Sequence, residues 1–169
     1  MGGASLLDRY ISEYGDRLFG LALKLCRNRE DAEDLYQETW IKAYRFIDRY
    51  DCEQEFGPWI TGICVNSYKD MLRRQKWRVL FAAFSSNEEK ERVLSNIPAE
   101  KPADYAEVRD AVNALPEKYR LVIILHYYND LDIQKTADVL NIPVGTVKYH
   151  LHKAREILKR SLKADGYET

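Results

Sequence analysis

The feature that most constrains this chain is the stretch from Asp132 to Lys159, where two runs of helical periodicity are separated by a proline. Ile133, Thr136, Ala137 and Leu140 fall at i, i+3, i+4 and i+7, one face of a short helix, and Asp132 stands where an N-cap belongs. Asn141-Ile142-Pro143 ends that helix, because Pro143 lacks the N–H a helix needs and disfavours helical geometry at Ile142. Val147, Leu151, Ala154 and Leu158 then keep one face of a longer helix. Its other face carries Lys148, Tyr149, His152 and Lys153, and Arg155 and Lys159 continue the charge. Two helices about a tight turn, the second one basic, make a helix-turn-helix whose second helix enters the major groove of DNA. An ordinary helical hairpin with a solvated basic face would carry the same pattern.

Charge distribution carries the next step. The net charge of −1 is unusual for a DNA-binding chain until its distribution is read. Glu30, Asp31, Glu33, Asp34 and Glu38 crowd one stretch, whereas Lys69, Arg73, Arg74, Lys76 and Arg78 crowd another. Lys148, Lys153, Arg155, Lys159, Arg160 and Lys163 crowd a third. One acidic and two basic patches imply three partner surfaces. At 169 residues with 46% hydrophobic content, the chain has room for one domain or two small ones. No apolar run reaches the ~18 residues of a membrane span, and Met1–Leu7 lacks the pattern of a secretory signal. Cys26, Cys52 and Cys64 form no C-x-x-C pair, which points to reduced thiols, a cytoplasmic setting and no zinc site.

Taken in order, Leu18, Leu21, Ala22 and Leu25 mark an amphipathic helix within Leu6–Arg27. Asn28-Arg29 interrupts it, and a second helix follows from about Glu30 to Arg49, with Trp40, Ala43, Tyr44 and Ile47 inward. Asp31, Asp34 and Glu38 share a face at i, i+3 and i+7. The macrodipole accounts for acids in the first turn but not for Glu38. A polar loop from Asp48 to Gly57 leads to a third helix. It opens at Gly57-Pro58, runs to roughly Trp77, and places Asn66, Lys69 and Arg73 on one polar face. From Leu80 to Ala103 periodicity fades into a linker, with Pro98, Pro102 and at most one helical turn at Glu89–Leu94. The patch Val79-Leu80-Phe81 with Phe84 either docks on a partner or closes the first core. Val108, Ala111, Val112 and Leu115 mark the next helix. Pro116 opens another, with Leu121, Ile124, Leu125 and Tyr128 inward. The expectation is an all-α chain of two small helical domains, 1–79 and 104–169, joined by a flexible linker at 80–103. The second domain is the helix-turn-helix.

Three sets of residues carry a family resemblance. Leu115-Pro116-Glu117-Lys118-Tyr119-Arg120, Ile142-Pro143-Val144-Gly145-Thr146-Val147-Lys148 and Lys153-Ala154-Arg155 resemble the fourth domain of bacterial sigma factors of the extracytoplasmic-function (ECF) group. Asp31-Ala32-Glu33-Asp34-Leu35-Tyr36-Gln37-Glu38-Thr39-Trp40 resembles the helix by which those proteins grip the clamp helices of the polymerase β′ subunit. Trp59, Ile63, Val65-Asn66 and Asp70 through Arg74 resemble their helix for the −10 promoter element.

The resemblance implies polymerase binding through Asp31, Asp34, Leu35, Gln37 and Glu38. It implies −10 recognition through Tyr50, Asp51, Asn66, Lys69, Arg73 and Arg74, with Asn66 lining a pocket for a flipped base. It implies −35 recognition through Lys148, Tyr149, His150, His152 and Lys153. Cys52 stands where relatives commonly have Gly, and Tyr149-His150 where they usually have Ser-Arg, so the family's promoter sequence does not transfer. The implied partners are core RNA polymerase, through the β′ clamp helices and the β subunit, promoter DNA, and an anti-sigma factor, often membrane-bound in this group. No small-molecule substrate, cofactor, metal or catalytic residue is expected, because the acids have no neighbouring histidine, nucleophile or phosphate loop. The competing reading is a polymerase-independent helix-turn-helix regulator, which leaves the acidic helix and the Asn66 helix without a task.

Overall fold

The computed structural model describes residues 3–85 and 106–164, with side chains at 6–81 and 106–162, and all regular structure among them is helical. The chain divides into two compact units, Met1–Ala99 and Glu100–Thr169.

In the first unit α1 (Gly3–Leu25) packs on α2 (Arg29–Phe46), and α2 on α3 (Phe56–Ser85). Leu18, Leu21, Ala22 and Leu25 are all buried, as their spacing predicts. The break between the first two helices is a cap. The Asn28 side-chain oxygen accepts from the Asp31 backbone N–H at 2.7 Å, and its amide donates back to the Asp31 carboxylate at 2.8 Å. Such a cap contributes about 1 kcal/mol.

Ala32, Leu35, Thr39, Trp40 and Ala43 form the inward face of α2, and Ile47 continues it in a 3₁₀ turn (Ile47–Arg49). Tyr44 does not join them and is 62% exposed. The buried positions 32, 35, 39 and 43 define a narrow stripe, and Tyr44 lies about 100° round the helix from Ala43.

From α3 the core receives Ile60, Cys64, Val65 and Tyr68. Burial pushes the Cys64 thiol up to about 12. The helix continues past Trp77, where it is expected to end, and past the boundary expected at 79. Residues 76–81 are all exposed, so this stretch has no buried face and leaves no periodic signal. Val79, Leu80 and Phe81 therefore do not close the core. The expected linker prolines, the turn at Glu89–Leu94 and the boundary at Asp104 lie outside the described residues.

In the second unit α7 (Val144–Ala164) packs against α4 (Ala106–Ala114), α5 (Glu117–Ile123) and α6 (Ile133–Leu140). After Ile123, α5 widens into a π turn over Ile124–Tyr128, where the Asn129 N–H reaches back five residues to the Ile124 carbonyl at 3.0 Å. The additional residue in this turn shifts the phase. Asn129 is thereby buried at 4% exposure, and Tyr128, expected inward, is 46% exposed. Asp132 caps α6 by accepting from the Lys135 N–H at 2.7 Å. Asn141 ends that helix in the left-handed region, at φ 54° and ψ 50°. Pro143 starts α7, its carbonyl accepting from Thr146 and Val147. Val147, Leu151 and Ala154 are buried against the other helices.

Candidate functional site

The acidic patch on α2 splits into two groups. Asp34 and Gln37 are exposed, and Asp31 is half-buried beside its cap, with the Gln75 amide 3.4 Å from its carboxylate. Leu35 is a correction: at 1% exposure it belongs to the core and offers nothing to a partner. Glu38 is tied into the fold, its carboxylate accepting from Arg74 at 2.8 Å and pairing with Lys42 at 3.0 Å. Burial raises the Glu38 carboxyl, but the two cations outweigh it and hold the group below its ordinary value. Lys42 also donates to the Ser67 hydroxyl at 3.0 Å and lies 3.5 Å from Asp70, which pairs with Arg73. Glu38 and Arg74, which sequence reading assigns to different partners, are therefore in direct contact.

Sequence reading also misses Ile41 and Tyr44, 53% and 62% exposed. With Asp34 and Gln37 they make a stripe at i, i+3, i+7 and i+10, a signal available in the sequence once Tyr44 is turned outward.

On α3, Asn66 and Arg73 are exposed and Lys69 is half-buried, all on one face. Tyr50 is a second correction. Its ring is buried in an aromatic cluster with Tyr10, Phe56 and Trp59, and its hydroxyl donates to the Gln54 carbonyl. The buried ring and this hydrogen bond anchor the loop from inside, and burial raises the hydroxyl's pKa to about 12. Asp51 folds the loop tip, its side chain accepting from the Glu53 N–H at 3.0 Å and its carbonyl from the Gln54 N–H at 3.0 Å. Asp51 and Cys52 are exposed.

Lys148, Tyr149 and His152 stand on the solvent side of α7, with Tyr149 53% exposed. Lys153 is occupied by Glu156 at 2.7 Å, and His152 lies 3.6 Å from the same carboxylate. His150 turns away from that surface. Its half-buried ring packs edge-on against Tyr119 with centroids 5.4 Å apart. Burial first, then the Lys118 charge, lowers its pKa. Among the described residues no cluster of metal-ligating side chains is present, and no helix is long and apolar enough to cross a membrane.

The model for Sigma-70 region 2 matches residues 10–78, which hold the acidic stripe and the Asn66 face, and that for Sigma-70 region 4 matches 105–158. The ECF RNA polymerase sigma factor SigW of Bacillus subtilis is 33% identical over 159 residues, covering 89% of this chain and 85% of the relative. The chain belongs to the ECF sigma factors. The ECF RNA polymerase sigma-E factor of Haemophilus influenzae is 27% identical, covering 96% of this chain and 90% of its own. In fold, this sigma factor matches RpoE, solved in complex with the anti-sigma factor NepR from Bartonella quintana. The TM-score is 0.79 at 24% identity, covering 94% and 97% of the two chains.

As an ECF sigma factor the protein binds core RNA polymerase and directs promoter recognition, melting and initiation at a particular promoter class. The region 2 match accounts for the helices that a polymerase-independent regulator leaves without a task.

Proposed function

We propose that the α2 stripe Asp34, Gln37, Ile41 and Tyr44, flanked by Asp31 and Glu38, is the surface this sigma factor offers to the β′ clamp helices. The observation that carries this reading is one helix face on which exposed Asp34 and Gln37 lead into exposed Ile41 and Tyr44. Such a face suits a helical partner that is basic at one end and apolar at the other, where charge sets orientation and on-rate. Asn66, Lys69, Arg73 and Arg74, together with the Asp51 loop that precedes their helix, receive the −10 strand. Lys148, Tyr149 and His152 face the −35 groove, while His150 supports them from behind, and the second unit also meets the β subunit. The protein acts in the cytoplasm and performs no catalysis of its own. An anti-sigma factor that covers these surfaces holds it inactive. The similar folds solved as RpoE with NepR and as CnrH with the cytosolic domain of CnrY support that partner class.

Charge reversal at Glu38 would also break its pair with Arg74, so the cleaner test leaves that network intact. Asp34→Lys with Tyr44→Glu is expected to weaken core polymerase binding by roughly tenfold or more, about 1.4 kcal/mol. Helix content and thermal midpoint should stay at the parent values. Unchanged affinity in a pull-down titration would remove this stripe from the interface.

A further inference from the structure

The π turn that displaces Tyr128 also sets Tyr127, 53% exposed, beside the recognition helix. There the Arg155 Nε–H donates to the Tyr127 hydroxyl oxygen at 2.8 Å, and the guanidinium carbon lies 5.6 Å from the ring centroid. The function assigned so far gives this contact no role. Arg155 shares a stripe with Lys148, His152 and Lys159 at i, i+4, i+7 and i+11, all exposed, on the side away from buried Val147 and Leu151.

Two physical points define what such a pair can bind. The tyrosine oxygen accepts from the guanidinium, so its own hydrogen remains available as a donor. The outer N–H groups of Arg155 remain in a planar fork that matches the oxygens of a phosphate. Position narrows the ligand. Arg155 is seven residues beyond Lys148, about 10.5 Å along the helix axis. The major groove is about 12 Å wide, so a helix that enters by its N-terminal end brings this level to the sugar-phosphate edge rather than to the bases.

We propose that Tyr127 and Arg155 form a composite phosphate site, in which the guanidinium fork and the tyrosine hydroxyl donate together to one phosphodiester flanking the −35 bases. Tyr127 has two tasks: its ring and hydroxyl oxygen hold the fork in place before DNA arrives, and its hydroxyl hydrogen then turns to the phosphate. The site rests on the recognition-helix reading of α7. A purely structural tether between the π turn and α7 would show itself in stability and leave DNA affinity untouched.

Phosphate contacts are independent of sequence, so the full-length chain can be titrated against a random duplex of about 30 base pairs by fluorescence anisotropy. Arg155→Ala should lower affinity and reduce the slope of log K against log salt by about 0.9, between roughly 50 and 200 mM salt. Arg155→Lys keeps the charge but not the fork, and Tyr127→Phe keeps the ring but not the hydroxyl. Each should cost about threefold in affinity with the slope unchanged, in the range of one modest hydrogen bond. Because both lesions break one arrangement, the double variant should lose much less than the product of the two. Parent-like binding by Tyr127→Phe and Arg155→Lys, at a temperature where thermal melts show both folded, would overturn the site. So would an unchanged salt slope in Arg155→Ala. Lys148→Ala separates the two levels of failure. If it weakens binding and the Tyr127 and Arg155 variants do not, the composite site alone falls. If it too is without effect, the recognition-helix reading falls with it.

Discussion

Asn141 holds the corner of the helix-turn-helix in the left-handed region, which an unbranched or branched L side chain enters only at a cost. There the Ile142 N–H reaches the Ala137 carbonyl at 3.1 Å and the Asn141 N–H the Asp138 carbonyl at 3.2 Å, which satisfies the end of α6 and aims the chain at Pro143. Asn141→Ala keeps the hydrogen bonds but meets the steric penalty, and is expected to destabilise the second unit by about 1 kcal/mol. Asn141→Gly removes the penalty and should leave the melting temperature within about a degree of the parent, or raise it. Thermal unfolding followed by circular dichroism checks both. If the alanine variant melted like the glycine variant, the left-handed corner would not be a determinant of this turn. The corner was readable from Asn-Ile-Pro. That the following His150 turns inward was not, because its neighbour Tyr119 is 31 positions away in the chain.

At the level of helices, the sequence was most informative where a helix buries a continuous face. Leu18 to Leu25 and Val147 to Ala154 are such faces, and their spacing alone locates α1 and α7. Reading went astray where that condition lapses. Residues 76–81 of α3 bury nothing and so carry no period, and the π turn adds a residue that a 3.6 count cannot anticipate, turning Tyr128 outward. Contacts between helices are the third gap. Glu38 and Arg74 are separated by 36 positions, and nothing local pairs them. Their bond ties the acidic face of α2 to the basic face of α3, although both side chains remain partly solvated at 31% and 55% exposure. Solvent screening limits the value of such a pair. A double-mutant cycle with Glu38→Ala and Arg74→Ala should give a coupling of roughly 0.2–1 kcal/mol at low salt, shrinking in high salt. Additive effects within experimental error would show that the two faces are energetically separate.

For the whole molecule, the decisive act is to hold a promoter open once polymerase has been engaged. In the −10 role proposed above, the Asn66 amide would offer both a donor and an acceptor to the edge of an unstacked base, and Lys69 and Arg73 on the same face would draw the strand past it. Extruding a base costs a few kcal/mol, which a receiving pocket helps to offset. In the holoenzyme Asn66→Ala is therefore expected to lower open-complex formation on duplex promoter while polymerase affinity is retained. A template mismatched across the −10 element should recover part of the loss. Lys69→Ala serves as the charge control, and transcription from the two templates is the readout. Full activity of Asn66→Ala on the duplex would remove this residue from strand capture.

The helix that carries Asn66 runs unbroken for 30 residues, about 45 Å at the usual rise. Continuity has a hereditary consequence. An amino acid exchanged on this rod alters only the contacts of that one side chain. One inserted between Asn66 and Arg73 would rotate every later side chain by about 100° and advance it by about 1.5 Å, re-aiming the distal half in one step. An insertion or deletion inside the rod is therefore expected to cost more than one in the loop before it.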